Sequence, residues 1–490
     1  VTTSPATTSG AASAGTLARR AFLGSLAAGA AAFAVFGPRG VGEKTTGRIV
    51  LDYWEKWAGH EGKTMQTIVD RFNESQSRIF VRYLVTAGVD EKGMVAIAGG
   101  SPPDLLGLYA YNIPLFAERG AILPLEEYGE SLSASRYAAG LRTFVKHPGK
   151  DGSPKTWGVI SAAGTLAMYY NKRRLAEAGL SGPPMVMEEF DDCNRKLTEF
   201  DGSGDVVRGG FIHSEPGWWS WIWSQPFGGR LWDPSTGKSS LTEDATVRGY
   251  DWVRSTAAMY DPAKNGAFSR FRARFGNYDA PTNAFLTGQL AMIVQGPWLA
   301  NVIEAHHDRA ARAAGKPELD YGVVPVPAIA GLRDDANPIG AAEADVVVIP
   351  RGVKHPDACV EFLRFCQKQE NLEELARQHF KGSPLATSSE SFLATHPNKG
   401  IATFDTIAKS PRAFVTPRTR VWPEIKREMD AAMDDLYRGE KTAAVLGKVD
   451  ARVQGILDRH KAQRARRGIA AGAHTPHTLP TVWRTGGRHA

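Results

Sequence analysis

GRIVLDYWEKWAGHEGKTMQTIVDRFNESQSRIFVRYLV, residues 47–85, decides the fold class of the chain. Gly47 to Trp54 is apolar and alternating, which predicts a strand, and Glu55 to Gly59 predicts the loop that leaves it. Met65, Ile68, Val69 and Phe72 then fall at i, i+3, i+4 and i+7, one apolar helical stripe that Asn73-Glu74-Ser75 closes. Ile79 to Val85 predicts a second strand. Beyond it, Lys92 to Ala98 predicts another helix, Gly99 to Asp104 a turn, and Leu105 to Tyr109 a third strand. Strand, helix, strand, helix, strand at this pace predicts an α/β fold with a parallel sheet and crossover helices.

Farther along, Leu166 to Tyr170 predicts a strand and Asn171 to Gly179 a short helix whose glycine is its stop. Glu188 to Phe200 predicts a helix, and Leu290 to Val294, Tyr321 to Val326 and Asp345 to Ile349 predict strands. Helices are expected around Ala358 to Gln367 and from about Pro423 to Arg459. Gly217 to Trp232 holds five of the 12 tryptophans. The tail beyond Lys461 lacks apolar periodicity and is expected to be disordered.

With 490 residues, 42% of them apolar and 23% charged, the chain can build two or three cored domains and is not a polytopic membrane protein. The formal net charge of +7 invites a nucleic-acid reading until it is located. Residues 1–48 hold five basic side chains against Glu43, and residues 461–490 hold six against none, which leaves residues 49–460 at −3. A nucleic-acid groove needs its basic excess on the folded part, so no nucleic-acid partner is expected. Cys193, Cys359 and Cys366 contain no C-x-x-C pair and signal neither a zinc ribbon nor a disulfide framework.

Ala18-Arg19-Arg20-Ala21-Phe22-Leu23-Gly24 opens an Ala/Gly-rich run that continues to Phe36. The pair Arg19 and Arg20 followed by Phe-Leu resembles a twin-arginine export signal, and the run is short for a membrane-spanning helix. Ala30 to Ala34 offers cleavage positions, and an uncleaved segment would instead tether the protein. The expected location is periplasmic or extracytoplasmic, with the twin-arginine export machinery as a partner.

Local catalytic signatures are missing. Gly237-Lys238-Ser239 has Trp232 where a phosphate loop needs its first glycine. No H-E-x-x-H, G-x-S-x-G, G-x-G-x-x-G or EF-hand loop is present, and His306-His307, as neighbours, diverge by about 100° on a helix. No cofactor or metal is expected. Glycosidase carboxylates can lie far apart in sequence, so an enzyme stays as an alternative.

Several short stretches in order carry a family resemblance. They are Asp52-Tyr53-Trp54-Glu55-Lys56-Trp57; Pro103-Asp104-Leu105-Leu106, then Phe116 to Leu125; Met168-Tyr169-Tyr170-Asn171-Lys172; Glu177-Ala178-Gly179-Leu180 before Pro183-Pro184; Pro226-Phe227-Gly228-Gly229; Phe285 to Met292 leading to Gly296-Pro297-Trp298; and Asp320 to Pro325. In that order they resemble the extracellular solute-binding proteins of bacterial ATP-driven (ABC) importers, in the maltodextrin-binding-like, carbohydrate-specific branch, over most of residues 48–455. The resemblance implies a two-lobed periplasmic-binding-protein fold (type II, Venus-flytrap) that closes on a ligand between lobes. The expected division is 1–47 export signal and linker, 48–161 plus 343–388 lobe 1, 162–342 plus 389–460 lobe 2, and 461–490 basic tail.

In open α/β sheets ligands sit beyond the carboxyl ends of strands. Here Trp54, Glu55 and Trp57 follow the first strand, Tyr109, Tyr111 and Asn112 the third, and Trp298 the Gly296-Pro297 turn. A sugar ring has apolar C–H faces and a belt of hydroxyls, so it calls for flat aromatic platforms and planar polar groups. Carried over from the family, the aromatic positions fall on Tyr109 or its neighbour, Trp218, Trp221, Trp298 and Trp422, with Trp219 in the same dense cluster. Glu55, Glu343 and Arg418 are the expected polar contacts. Of Trp218, Trp219 and Trp221 at least one is expected to pack inward, and Glu343 and Asp345 have surface ion pairing as their ordinary alternative. An acidic residue of the maltodextrin-binding protein lies near the place of Gly164 here, a departure that speaks against maltodextrin in particular.

The resulting expectation is a monomeric, non-catalytic carbohydrate receptor that hands a mono- or oligosaccharide to a membrane permease. Two rivals stand beside it: a secreted carbohydrate-active enzyme using Glu55 and Glu343 as acid and base, and a receptor for a polyol, glycerol phosphodiester or peptide.

Overall fold

The computed structural model describes residues 45–129, 132–233, 236–276 and 278–466. Arg19, Arg20 and the rest of the expected export signal lie outside the described residues, as do residues 467–490 of the tail.

Two sheets organise the molecule. The larger has the strand order Ala413–Phe414, Gly340–Val348, Leu105–Tyr109, Ile49–Glu55, Ile79–Val85, and Val159–Thr165 also pairs with Gly340–Val348. The first three predicted strands are present and mutually parallel, with Ile49 opposite Ile79 and Tyr53 opposite Leu105. The expectation of an all-parallel sheet is corrected by Gly340–Val348, which runs antiparallel to both Leu105–Tyr109 and Val159–Thr165. It also begins five residues before the predicted Asp345, because Gly340 to Ala344 continue the ladder along Val159–Thr165.

The helix Gly59–Ser75 buries Met65, Ile68, Val69 and Phe72 with Leu51, Tyr53 and Ile79, as its stripe requires. Its Asn73 also covers the sheet edge: Nδ2 donates to the Val81 carbonyl at 2.9 Å and Oδ1 accepts from the Val81 N–H at 2.7 Å. Those are backbone groups that an edge strand otherwise leaves open.

The smaller sheet has Ala167–Asn171 at its centre between Met292–Gln295 and Tyr321–Val324, both antiparallel to it. Leu166 alone separates Val159–Thr165 of the larger sheet from Ala167–Asn171 of the smaller, so the chain changes lobe within one residue there. Around the second sheet pack Met187–Leu197, Asp244–Met259, Trp422–Tyr437 and Thr442–Arg466. The predicted helix through Phe200 stops at Leu197, and Glu199–Phe200 forms a small hairpin with Val206–Arg208.

Thr442–Arg466 corrects the expectation that the chain is disordered from Lys461. The helix continues to Arg466, and Arg464 Nη1 donates to Glu118 Oε1 at 2.7 Å. Among the described residues no helix is long and apolar enough to cross a membrane.

Candidate functional site

A cavity of about 1000 Å³ opens between the two sheets, at the upper end of the range for small-molecule sites. Nine of the eleven residues expected to contact ligand border it: Trp57, Tyr109, Tyr111, Trp218, Trp219, Trp221, Trp298, Glu343 and Trp422. The exceptions are Glu55 and Arg418.

Glu55 is a correction. Along Ile49–Glu55 the side chains of Leu51, Tyr53 and Glu55 share the buried face, so strand alternation carries Glu55 under the sheet rather than to its rim. There the Tyr53 hydroxyl donates to Oε2 at 2.8 Å, and the Lys56 N–H and Nζ donate to Oε1 at 2.8 and 3.1 Å. Room for the carboxylate comes from Gly107 on the neighbouring strand, where a Cβ would stand 2.0 Å from Oε2. Glu55 therefore does not face Glu343 across the cavity as an acid/base pair would. Arg418 is the second correction: its guanidinium is spent on backbone carbonyls, donating to Ala110 at 3.2 Å and Lys146 at 2.8 Å.

The aromatic lining divides by exposure. Tyr109 on one lobe and Trp218 on the other are 43% and 42% exposed. Tyr109 stacks on Tyr111 at 5.5 Å and 4°, a paired platform at the end of Leu105–Tyr109. Opposite it, Trp218 meets Tyr278 at 4.9 Å and Trp219 at 5.9 Å, and Trp219 lies 6.3 Å from Trp298. Trp221 and Trp422 are 2% and 1% exposed and pack edge-on at 5.8 Å, so they back the wall instead of presenting a face. Trp298 fits flat because of two glycines: a Cβ at Gly164 would stand 2.7 Å from its Cζ3, and one at Gly296 would stand 2.2 Å from its Cη2.

Charged groups that are not among the expected ligand contacts line the first lobe's side, and Asp345, weighed above as a surface ion pair, is one of them. Asp345 is held by Lys56 Nζ at 3.1 Å and Lys381 Nζ at 3.5 Å, and Lys381 also holds Glu61 at 2.9 Å. Burial alone would raise the Asp345 carboxyl, but the two ammonium groups outweigh it and hold it below its ordinary value. Glu61 is likewise lowered, burial being overcome by Lys381. Lys56 lies 4.7 Å from the Tyr109 ring centre and 5.4 Å from that of Trp57, which fixes both rings by cation–π contact. In the second lobe Lys426 pairs with Asp430 at 2.8 Å, and Ser220 donates to that carboxylate at 2.6 Å.

Glu343 differs from these. It occupies the same face of Gly340–Val348 as Asp345, opposite Gly164. Burial, with the Asp345 charge added, pushes its carboxyl up to about 8, against a lowering by Lys426. It is a neutral acid at pH 7, able to donate.

Of these additions, Lys56 sits beside Glu55 in the stretch already singled out, and Asp345 lies two residues from Glu343, a spacing that puts both on one strand face. Glu61, Lys381 and Tyr278 come from separate segments and have no sequence signal of their own.

Comparison with known proteins places this architecture. The family described as "Bacterial extracellular solute-binding protein" matches residues 67–398. The chain is 23% identical over 337 residues to the maltotriose-binding protein of Pyrococcus abyssi, an alignment covering 68% of this chain and 65% of that one, just under two thirds of the relative's length. It is 24% identical over 416 residues to the sn-glycerol-3-phosphate-binding periplasmic protein of Pectobacterium atrosepticum, covering 80% and 87%. Its fold superposes on the sugar-binding protein MalE of Xanthomonas citri with a TM-score of 0.67 at 18% identity, covering 85% of this chain and 99% of that one.

Proposed function

Because the chain belongs to the bacterial extracellular solute-binding protein family, we propose that it is the receptor of an ATP-driven carbohydrate importer, capturing a mono- or oligosaccharide between its lobes and delivering it to a membrane permease. The observation that carries the reading is the lining of the cleft: aromatic rings come from both lobes, while its three lysines, Lys56, Lys381 and Lys426, are each already paired with a carboxylate. Such a site offers platforms for sugar faces and, among the described residues that line it, no lysine or arginine left without a carboxylate. The relative named for maltotriose supports the same direction. Ligand that touches Tyr109 and Trp218 at once would shift a hinge equilibrium toward the closed form. We assign the strands of the larger sheet, Val159–Thr165, Gly340–Val348 and Ala413–Phe414 included, to one lobe and Ala167–Asn171, Met292–Gln295 and Tyr321–Val324 with their helices to the other, so that the expected boundaries at 161/162 and 342/343 move to Leu166 and to Gly340. The protein acts as an exported, non-catalytic monomer, and Arg19-Arg20 supports export by the twin-arginine route.

The second reading, a glycerol phosphodiester or related solute, is favoured by the glycerol-3-phosphate-binding relative. A thermal-shift series separates them. Neutral mono- and oligosaccharides at 100 times their dissociation constant should add about 2.7 kcal/mol of stability, with no sugar product released on incubation. Stabilisation by sn-glycerol 3-phosphate or glycerophosphocholine alone would replace the sugar reading, and turnover of the sugars would restore the enzyme.

A further inference from the structure

A second cavity, of about 580 Å³, opens on the first lobe and shares no lining residue with the cleft. Three segments build it: the turn after the helix Ile113–Glu118, the hairpin of Lys146–Pro148 with Pro154–Thr156, and the loop after Gly340–Val348. Each brings cations, Arg119 from the first, Lys150 and Lys155 from the second, and Arg351 from the third. The segments are fixed to one another, since Ile122 bridges Pro350 and Arg351 Nε donates to the Gly120 carbonyl at 2.7 Å.

Unlike the lysines of the cleft, none of these four cations makes a salt bridge among the described residues. Arg119, Lys150 and Arg351 are exposed and Lys155 is half-buried. In a body that carries −3 over residues 49–460, this lining carries +3, four cations against Asp151 alone. Asp151 is engaged within its own turn: the Ser153 N–H donates to Oδ1 at 3.0 Å, and the Ser153 hydroxyl stands 2.8 and 2.9 Å from Oδ1 and Oδ2. Glu118, beside Arg119, is buried and taken by Arg464 at 2.7 Å. Like charges gathered round one cavity repel, and an anion among them removes that cost. The floor is apolar, with Ala117 and Pro124 beside the buried Trp157, whose Nε1 donates to the His147 carbonyl at 2.7 Å. A ligand that suits this cavity carries negative charge at the rim and carbon beneath it. Guanidinium forks and ammonium groups together are the side chains that hold phosphate oxygens.

We propose that this cavity receives the headgroup of an anionic phospholipid, its phosphate among Arg119, Lys150, Lys155 and Arg351 and its glycerol carbons on the apolar floor, so that the first lobe docks on a membrane surface. The proposal is independent of the solute that the cleft takes, and it rests on the exported-receptor reading only for the membrane beside the protein. Each lysine or arginine held near an anionic surface strengthens partitioning by about fivefold, and salt screens the attraction.

Co-sedimentation of the full chain with vesicles of phosphatidylglycerol in phosphatidylcholine, against phosphatidylcholine alone, tests the site. Binding is expected to the first and not the second, and to weaken as salt is added. The variant Lys150→Gln/Lys155→Gln/Arg351→Gln should bind about a hundredfold more weakly with an unchanged melting temperature. Basic segments flank the body at both ends, so a variant that binds as tightly as the unaltered protein assigns the lipid to those ends and overturns the site. Equal binding to both vesicles, or to neither, overturns it as well. If inorganic phosphate raises the melting temperature of the unaltered protein but not of the variant, while phosphatidylglycerol is ignored, the cavity takes a free anion and the lipid assignment falls. None of these outcomes moves the sugar reading, which the thermal-shift series tests separately.

Discussion

Glu118 is where the last described helix meets the opposite lobe, and it gives the sharpest prediction about stability. Its carboxylate is buried at the end of Ile113–Glu118 and accepts from Arg464 Nη1 at 2.7 Å, His460 Nε2 at 3.1 Å and His147 Nε2 at 3.2 Å. His460 and Arg464 are one turn apart on Thr442–Arg466, whose apolar face packs with Trp422–Tyr437 in the second lobe, whereas Ile113, Phe116 and Ala117 belong to the core of the first. Ending the chain at His460 removes Arg464 and leaves both histidines. A hydrogen bond to a charged group contributes about 1.5–3 kcal/mol, and loss of one partner of a fully buried pair costs about 3–5 kcal/mol. Arg464 keeps some solvent, its side chain being 13% exposed, so about 2–3 kcal/mol is expected.

The pH dependence of the same cluster has a definite sign. Burial would raise Glu118, but its bonds to His147 and His460 and the Arg464 charge hold it well below the usual carboxylate range. Its stabilising contribution is present above the ordinary Glu value of about 4.3 and is lost as pH falls from there toward the folded value. His147 is lowered by burial, against the opposing bond to Glu118. Below about pH 6.5 the unfolded chain therefore takes up a proton that the folded one resists, and stability falls by about 1.4 kcal/mol per pH unit. Calorimetric melting at pH 7, 5.5 and 4 should show this decline in the full chain, with the shortened chain several degrees lower at pH 7. Equal melting of the two at pH 7 would refute the tie, because a tail without structure from Lys461 predicts that result.

Three further outcomes follow from the cleft. Trp298→Ala should weaken sugar binding by about 1.5–3 kcal/mol, the loss of one buried aromatic platform, measured by calorimetry; unchanged affinity would remove Trp298 from the site. Gly164→Ala places its Cβ 2.7 Å from Trp298 Cζ3 and should cost about 1–3 kcal/mol as the indole is displaced, seen as a lower melting temperature with an altered near-ultraviolet spectrum; a variant that melts normally with an unchanged spectrum contradicts the packing. Asp345→Asn removes the carboxylate shared by Lys56 and Lys381, which keep Glu55 and Glu61, and should cost about 1.5–3 kcal/mol, read by denaturant unfolding, whereas a midpoint shift worth under about 1 kcal/mol would mark the pair as a surface bridge.

Much of this was legible because periodicity reports burial. The stripe Met65, Ile68, Val69, Phe72 and the alternation of Ile49–Glu55 were readable as helix and strand, and they form as read. The same alternation already held the answer for Glu55: it shares parity with Leu51 and Tyr53, the core face, while the neighbouring Lys56 reaches the cavity. A carboxylate at a strand end reads as a rim residue until its parity is counted, and here parity makes it a buried anchor. Strand direction was less accessible, since Gly340–Val348 has the apolar run of a central strand and nothing local distinguishes its antiparallel entry beside Leu105–Tyr109. The helix through Arg466 is hidden in the sequence for a related reason. Its last turn carries no apolar stripe, and what holds it is a carboxylate 346 residues earlier in the chain.

The misplacement of Glu55 also bears on the choice between receptor and enzyme. Hydrolysis by paired carboxylates needs both groups at one substrate, separated by roughly 5–10 Å with the glycosidic bond between them. Here one proposed partner lies under the sheet, bonded to Tyr53 and Lys56, while the other faces the cavity. Asp345 and Glu61, paired with lysines, are held below their ordinary values, which removes them as general acids near neutral pH. Glu343 is pushed up to about 8, and with Glu55 withdrawn beneath the sheet the two carboxylates expected as acid and base do not meet one substrate.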